Sequence, residues 1–278
     1  RHRIRTLRAQ HIVYVVGASQ KQHFEMLFAV ARRAGWTQEG SGEQVLLEHL
    51  AFGNMLGPDG RPFKTREGGT VKLKDLLAEA VARARAVIRG SGVQNSEEDV
   101  AATLPRREFT PQQVEQIAQT VGIGAVKYFD LAHALASDYR FDWDTMLALD
   151  GNTAPYMLYA YARIRSIGRK AGIDFADLPS HAPIVLEHES ELKLAKMLLK
   201  FSEVIEQAAR ELRPNLLTDY LYELSKRFSL FYDRRHGVRV IDAEPPALRL
   251  SRLRLCDLTA RTLKLGLSLL GIATVEQM

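Results

Sequence analysis

The chain has 278 residues, 46% of them apolar, with 38 Lys and Arg against 33 Asp and Glu. That length allows two domains at roughly 100 to 200 residues each, the formal charge of +5 suits a polyanionic partner where the excess is clustered, and no apolar run approaches the ~18 residues that span a bilayer. The single cysteine, Cys256, excludes an intrachain disulfide framework and a multi-cysteine zinc site, and it points to a reducing compartment.

The opening "RHRIRTLRAQ" carries four arginines in ten residues and no initiator Met. Such a start can mimic a transit peptide, but it runs straight into a strand-like segment, which predicts a cut edge with the natural N-terminal part missing. "HIVYVV" at 11–16 is a continuous apolar, β-branched run, as expected of a strand covered on both faces. After Gly17, residues Phe24, Leu27, Phe28 and Ala31 fall on one helical face, and Gly35 is the stop signal. Ser19 with Gln22 has capping-box spacing. "VLLEHL" at 45–50 predicts a second strand, so the start is an α/β unit.

The stretch "GPDGRPFKTREGGTVKL" at 57–73 follows. Pro58-Asp59-Gly60 has turn chemistry, Lys64 and Arg66 straddle Thr65, and Gly68-Gly69 frees the backbone before a helix predicted from about Lys72 to Ile88. Cations beside a helix N-terminus suit a phosphate cradle, and the same residues suit an exposed basic hairpin. It is not a Walker loop. Residues 89–110 read as an exposed linker or insertion.

Beyond Pro111 helical patterning takes over, with no strand predicted. In "GNTAPYMLYAYARIRSIGRKAG" (151–172), Pro155 fits the first turn of a helix, and Tyr156, Tyr159 and Arg163 share a face. Two rings and a guanidinium can stack splayed bases and pair phosphates; tyrosines at this spacing also simply pack between helices. The stripes Leu217, Tyr220, Leu221, Leu224, Phe228, Phe231 and Leu253, Cys256, Ala260, Leu263, Leu267, Leu270 predict bundle helices. Arg254 and Arg261 lie off the second stripe, on what reads as a solvated face. His181 and His188 are seven apart with no converging ligand set, so no metal site is assigned. "GASQKQH" places Gln20 and His23 where open parallel sheets bind ligands, outside the strand ends, and equally suits a capped turn with solvated side chains. No GxSxG or HExxH motif occurs.

In this order, "IVYVVGASQKQHF", "LEHLAFGNMLGPDGRPFKTREGGTVKLKDLL", "VGIGAVKYFDLAHALASDYRFDWDTMLALDGNTAPYMLYAYAR" and "SRLRLCDLTARTLKLGLSLLGIATVEQM" resemble the C-terminal half of arginyl-tRNA synthetases, a class I family. The resemblance covers nearly the whole chain apart from the linker around 89–110. It implies a mainly α fold with an α/β part, in which 1–110 is the C-terminal part of a Rossmann-like catalytic domain with its variable linker and 111–278 is a helical connecting segment and all-α anticodon-binding bundle.

By the same resemblance, Lys64, Thr65 and Arg66 stand in for the KMSKS loop that closes over ATP. Gln20 and His23 belong to the arginine and adenylate pocket, and Phe52, Gly53, Asn54 and Met55 to the wall beside the adenine. Tyr156, Tyr159, Arg163, Tyr232, His236 and Met278 belong to the anticodon site, with some family members carrying an aromatic where His236 stands. A family that commonly ends in Met implies that Met278 is the native end. The implied partners are tRNA-Arg, L-arginine and ATP with Mg2+, for a cytoplasmic monomer with no membrane contact and no tightly bound cofactor. The HIGH-type motif that holds the ATP phosphates is not in the chain, nor is the domain that reads the tRNA D-loop. The expectation is therefore a fragment of an arginine–tRNA ligase, inactive alone and binding tRNA through its bundle. The competing expectation is a stand-alone, non-catalytic tRNA-binding or regulatory module derived from it.

Overall fold

A computed structural model describes residues 1–38, 44–57, 60–61, 72–90, 109–179, 181–233 and 237–278. It divides into two compact units, one formed by residues 1–68 with 133–141 and the other by 69–132 with 142–278.

In the first unit a short helix α1 (His2–Arg5) precedes β1 (His11–Gly17), a 3-10 turn (Ala18–Gln20), α2 (Lys21–Arg33) and β2 (Leu46–Phe52). β1 and β2 pair in parallel, from His11 against Leu46 to Gly17 against Phe52. A parallel pair needs a crossover, and α2 supplies it. Its Phe24 and Phe28 rings meet Tyr14 of β1 at 5.1 and 5.5 Å, and Phe24 stacks on His49 of β2 at 4.8 Å.

Three expectations need correcting here. β1 is not covered on both faces, for Val15 is 58% exposed; with side chains alternating along the strand, the rings of α2 reach only the Tyr14 side. Of the four α2 residues predicted to share a buried face, Phe24 and Phe28 are buried and Leu27 is exposed. The Ser19–Gln22 capping box does not form, because Ala18–Gln20 is already wound into a 3-10 turn that runs into α2, leaving Gln20 at the cap position with no side-chain cap bond.

A fourth correction concerns strands after Pro111. Tyr139–Arg140 forms a two-residue strand, β4, parallel to β3 (Met55–Leu56). Its signal is too short for any periodicity to register. The junction is set by Gly53: a Cβ there would fall 2.8 Å from the Asp138 nitrogen and closer still to the Ser137 carbonyl, so only glycine lets the chains approach.

The second unit is helical: α3 (Leu73–Gly90), α4 (Pro111–Ala132), α5 (Trp143–Leu147), α6 (Ala154–Lys170), α7 (Glu189–Leu199), α8 (Phe201–Glu211), α9 (Asn215–Phe231) and α10 (Pro246–Leu269). α3 and α4 lie close because Gly122 has no Cβ, and one would sit 2.7 Å from the Val81 backbone. A bidentate bond from Arg85 to Glu115, at 2.8 and 2.9 Å, ties the same pair and lowers the Glu115 carboxyl from its ordinary value. α6 packs against α4, α9 and α10, which accounts for its run of buried residues Met157, Leu158, Ile164 and Ile167. Both predicted stripes are buried, the first in α9 and the second in α10, with Leu270 just past its end.

α6 starts one residue before Pro155, and the Thr153 hydroxyl caps it by accepting from the Tyr156 N–H at 3.2 Å. His188, unassigned to any ligand set above, caps α7: its ring accepts from the Ser190 N–H while the Glu191 carboxylate reaches back to the His188 N–H. Among the described residues no helix is long and apolar enough to cross a membrane.

Candidate nucleotide and anticodon sites

In the first unit the carboxyl ends of β1 and β2 come together at Gly17 and Phe52. A Cβ on Gly17 would lie 3.8 Å from the Phe52 ring. Gln20 ends the 3-10 turn just beyond β1 and His23 lies in the first turn of α2, both exposed. Gln20, His23 and Phe52 thus belong to one end of the strand pair, the end at which open α/β sheets bind ligands. The His23 ring stands edge-on to Phe24 at 5.6 Å.

Gly53 and Asn54 lead from β2 into the β3 junction. The Gly53 N–H donates to the Leu135 carbonyl at 2.7 Å, and Asp138 Oδ1 accepts from both the Asn54 N–H, at 2.5 Å, and its side-chain amide, at 3.1 Å. The Asn54 amide is therefore engaged in holding the junction, and Met55 is half-buried in β3. Lys64, Thr65 and Arg66 lie outside the described residues.

Sequence reasoning missed His49. Its Nε2 is 2.9 Å from the Val16 carbonyl, one residue before Gly17, so it ties β2 to the strand end that leads into the Gln20 turn. The usable signal was an imidazole inside an otherwise apolar strand segment, where a polar ring needs a partner.

In the second unit Tyr156, Tyr159 and Arg163 are half-buried on α6. Tyr156 meets Tyr222 of α9 edge-on at 5.8 Å. The Arg163 guanidinium lies 5.4 Å from the centre of the Tyr232 ring, and Tyr232 stacks nearly parallel on Phe228, 13° between planes and 6.1 Å between centres. Burial pushes the Tyr159 phenol up, against the pull of the Arg163 charge. Tyr222 is missing from the sequence reading, and its own cation is Lys226, 5.1 Å from the ring centre and paired with Glu223 at 2.7 Å. It lies just off the α9 leucine stripe, where spacing alone does not tell a packed ring from a solvated one. Met278 is half-buried against the same core cluster as Tyr156, Tyr222 and Tyr232. His236 lies outside the described residues.

Arg261 is exposed, as a solvated face requires, while Arg254 is half-buried. With Arg165, Asp174, Phe175 and Asp257 they line a cleft of about 590 Å³. Asp257 is paired with Arg261 at 3.7 Å; burial raises its carboxyl pKa, and the charges of Arg261, Arg165 and Arg254 oppose that without cancelling it. Among the described residues no group of three or more His, Cys, Asp or Glu converges to hold a metal ion.

Two family profiles match the chain. A family profile described as "tRNA synthetases class I (R), catalytic domain" matches residues 1–143, and one described as "DALR anticodon binding domain" matches 157–278. An arginine–tRNA ligase of Nostoc sp. is 52% identical over the whole chain, and one of Cellvibrio japonicus is 47% identical. The chain spans only 45% and 44% of those relatives' lengths. Among solved structures it is similar to the arginyl-tRNA synthetase of Plasmodium falciparum, with a TM-score of 0.77 and 28% identity over the whole chain and 43% of that one. It is likewise similar to the arginyl-tRNA synthetase of Thermus thermophilus, with a TM-score of 0.76 and 30% identity over 97% of this chain and 41% of that one. The chain belongs to the arginyl-tRNA synthetase family of class I.

Proposed function

We propose that the chain is part of an arginine–tRNA ligase that activates L-arginine with ATP, as its Mg2+ complex, and transfers it to tRNA-Arg, acting as a monomer in the cytoplasm. Residues 1–110 supply part of the catalytic domain, and 111–278 the connecting helices and the anticodon-binding bundle, with β4 returning to the first part. Lys64, Thr65 and Arg66 form the loop that closes over the phosphates, where cations stabilise developing charge on pyrophosphate. Gln20 and His23 face the adenylate and Phe52 to Met55 flank the adenine.

On the bundle, Tyr156, Tyr159 and Tyr232 offer faces on which unstacked bases lie, and Arg163 pairs a phosphate or stacks in turn. His236 and Met278 complete the contact. The observation that carries this reading is the pairing of half-exposed rings and a guanidinium, Tyr156 with Tyr222 and Arg163 with Tyr232, within and beside the segment that matches an anticodon-binding profile. Replacing both Tyr156 and Arg163 with Ala weakens binding of a tRNA-Arg anticodon stem-loop by about 1 to 3 kcal/mol per lost stack; unchanged binding removes the assignment.

The chain alone does not aminoacylate. Positioning ATP and amino acid together supplies much of the rate, and residues 1–278 contain no HIGH-type motif to hold the phosphates from the other side. Arginine-dependent pyrophosphate exchange by the purified chain with tRNA added tests this, and detectable exchange refutes it. The match of a catalytic-domain profile to residues 1–143, with 52% identity to an arginine–tRNA ligase over the whole chain, favours this reading over a stand-alone, non-catalytic module derived from the synthetase.

A further inference from the structure

We infer that Glu276 is a positioning residue for the anticodon site: it straps the segment after α10 to α6 and so fixes Met278. The inference rests on the proposed role of Met278 and deepens it.

The segment leaves α10 at Leu270 and reaches Met278 without regular structure. Ile272 and Val275 anchor it in the core, and Lys127 Nζ holds the Gly271 carbonyl at 2.7 Å. Apolar anchors alone leave a short irregular segment free to rotate about its backbone. Glu276 removes that freedom through three bonds. Its Oε1 accepts from the Tyr161 hydroxyl at 2.6 Å, its Oε2 from Arg165 Nε at 2.7 Å, and its backbone carbonyl from Arg169 Nη1 at 3.3 Å.

Tyr161, Arg165 and Arg169 are spaced i, i+4 and i+8, one face of α6 and a different one from that of Tyr156, Tyr159 and Arg163. The first two of these are themselves constrained. Tyr161 is 3% exposed, and the Arg165 guanidinium lies 5.5 Å from the centre of the Phe175 ring. Both carboxylate oxygens and the backbone of one residue are thus bound to a single rigid helix, two residues before Met278. Met278 packs half-buried on the cluster that also supports Tyr156 and Tyr232. Anchoring the strap on the opposite side of α6 leaves the aromatic face open while fixing the backbone two residues before Met278.

The test uses the full chain and a tRNA-Arg anticodon stem-loop, with Glu276→Ala, Glu276→Gln, Met278→Ala and the Glu276→Ala/Met278→Ala pair. Glu276→Ala is expected to weaken binding about fivefold to tenfold, close to the effect of Met278→Ala, and the double variant to be no weaker than either single one, since both remove the same contact. Glu276→Gln keeps the acceptor for Tyr161 and loses the charge facing Arg165, so it recovers part of the affinity. Hydrogen exchange at 272–278 rises in Glu276→Ala and not in Met278→Ala. If Glu276→Ala binds like the parent chain while Met278→Ala is weakened, the strap is not a positioning device and the anticodon reading stands. If the two losses multiply, Glu276 acts independently of Met278 and the inference is wrong. If Met278→Ala itself has no effect the inference falls too, and Tyr156→Ala then decides whether the anticodon reading survives.

Discussion

Glu191 is fully buried, and its carboxylate is surrounded by donors. Oε2 accepts from the Glu187 and His188 N–H groups at 2.7 and 2.8 Å, and Oε1 accepts from Arg252 Nε at 2.5 Å. The Arg252 side chain is 11% exposed and donates also to the Arg239 carbonyl at 2.8 Å. Removing one partner of such a pair strands a buried charge, so Glu191→Ala is expected to destabilise the helical unit by roughly 3 to 5 kcal/mol. Replacing both Glu191 and Arg252 with Met leaves the same two N–H groups short of an acceptor as Glu191→Ala does, and takes one donor from the Arg239 carbonyl, but it strands no charge and keeps the packed volume. The double variant should therefore be more stable than Glu191→Ala. Urea unfolding followed by far-ultraviolet circular dichroism reads both values. A single-variant loss below about 1 kcal/mol, or a double variant less stable than the single, would refute the reasoning.

Three further outcomes follow from the same geometry. Gly122→Ala forces α3 and α4 apart around a Cβ 2.7 Å from the Val81 backbone, a loss of about 1 to 3 kcal/mol visible as a lower urea midpoint; an unchanged midpoint would mean the helices are not in close contact. Cys256 is fully buried, and burial, with the Asp257 charge, pushes its thiol well up; a maleimide should leave the folded chain unlabelled and react only as it unfolds, and prompt native labelling contradicts this. Burial pushes the Glu276 carboxyl up, but hydrogen bonds from Tyr161 and Arg165 and the charges of Arg165 and Lys264 outweigh it and hold the pKa below the ordinary value. A depressed carboxyl contributes stability that is present above the unfolded pKa of ~4.3 and is lost as pH falls through the folded value. The stability gap between the parent chain and Glu276→Gln should close across that window, and a gap constant with pH would refute the assignment.

Much of the fold was legible because its long elements carry strong periodicity. The α9 and α10 stripes specify their own burial, the apolar run of β1 marks a strand though not which of its faces is covered, and Pro155 marks the start of α6. What escaped the sequence depends on partners far along the chain. β4 exists because Gly53 admits the Ser137 backbone, a contact across 84 residues; Glu191 looks like a surface helix residue until Arg252 is brought to it; the Glu276 strap needs α6. The Ser19–Gln22 pair had capping-box spacing, yet the 3-10 turn took the backbone elsewhere. At the candidate sites, the residue types of the aromatic cluster were readable at Tyr156, Tyr159 and Arg163 through helical spacing alone, whereas Tyr222 required knowing that α9 packs on α6.

The central claim is that the bundle reads the anticodon of tRNA-Arg. It is tested most directly by measuring binding of the chain to two stem-loops of identical stem, one with the arginine anticodon and one with those bases exchanged, across a salt series. The account predicts tighter binding of the arginine stem-loop at every salt concentration, with the difference abolished by Tyr156→Ala/Arg163→Ala, because phosphate contacts set the shared salt slope while base contacts set the difference. Equal affinity for the two stem-loops would contradict it.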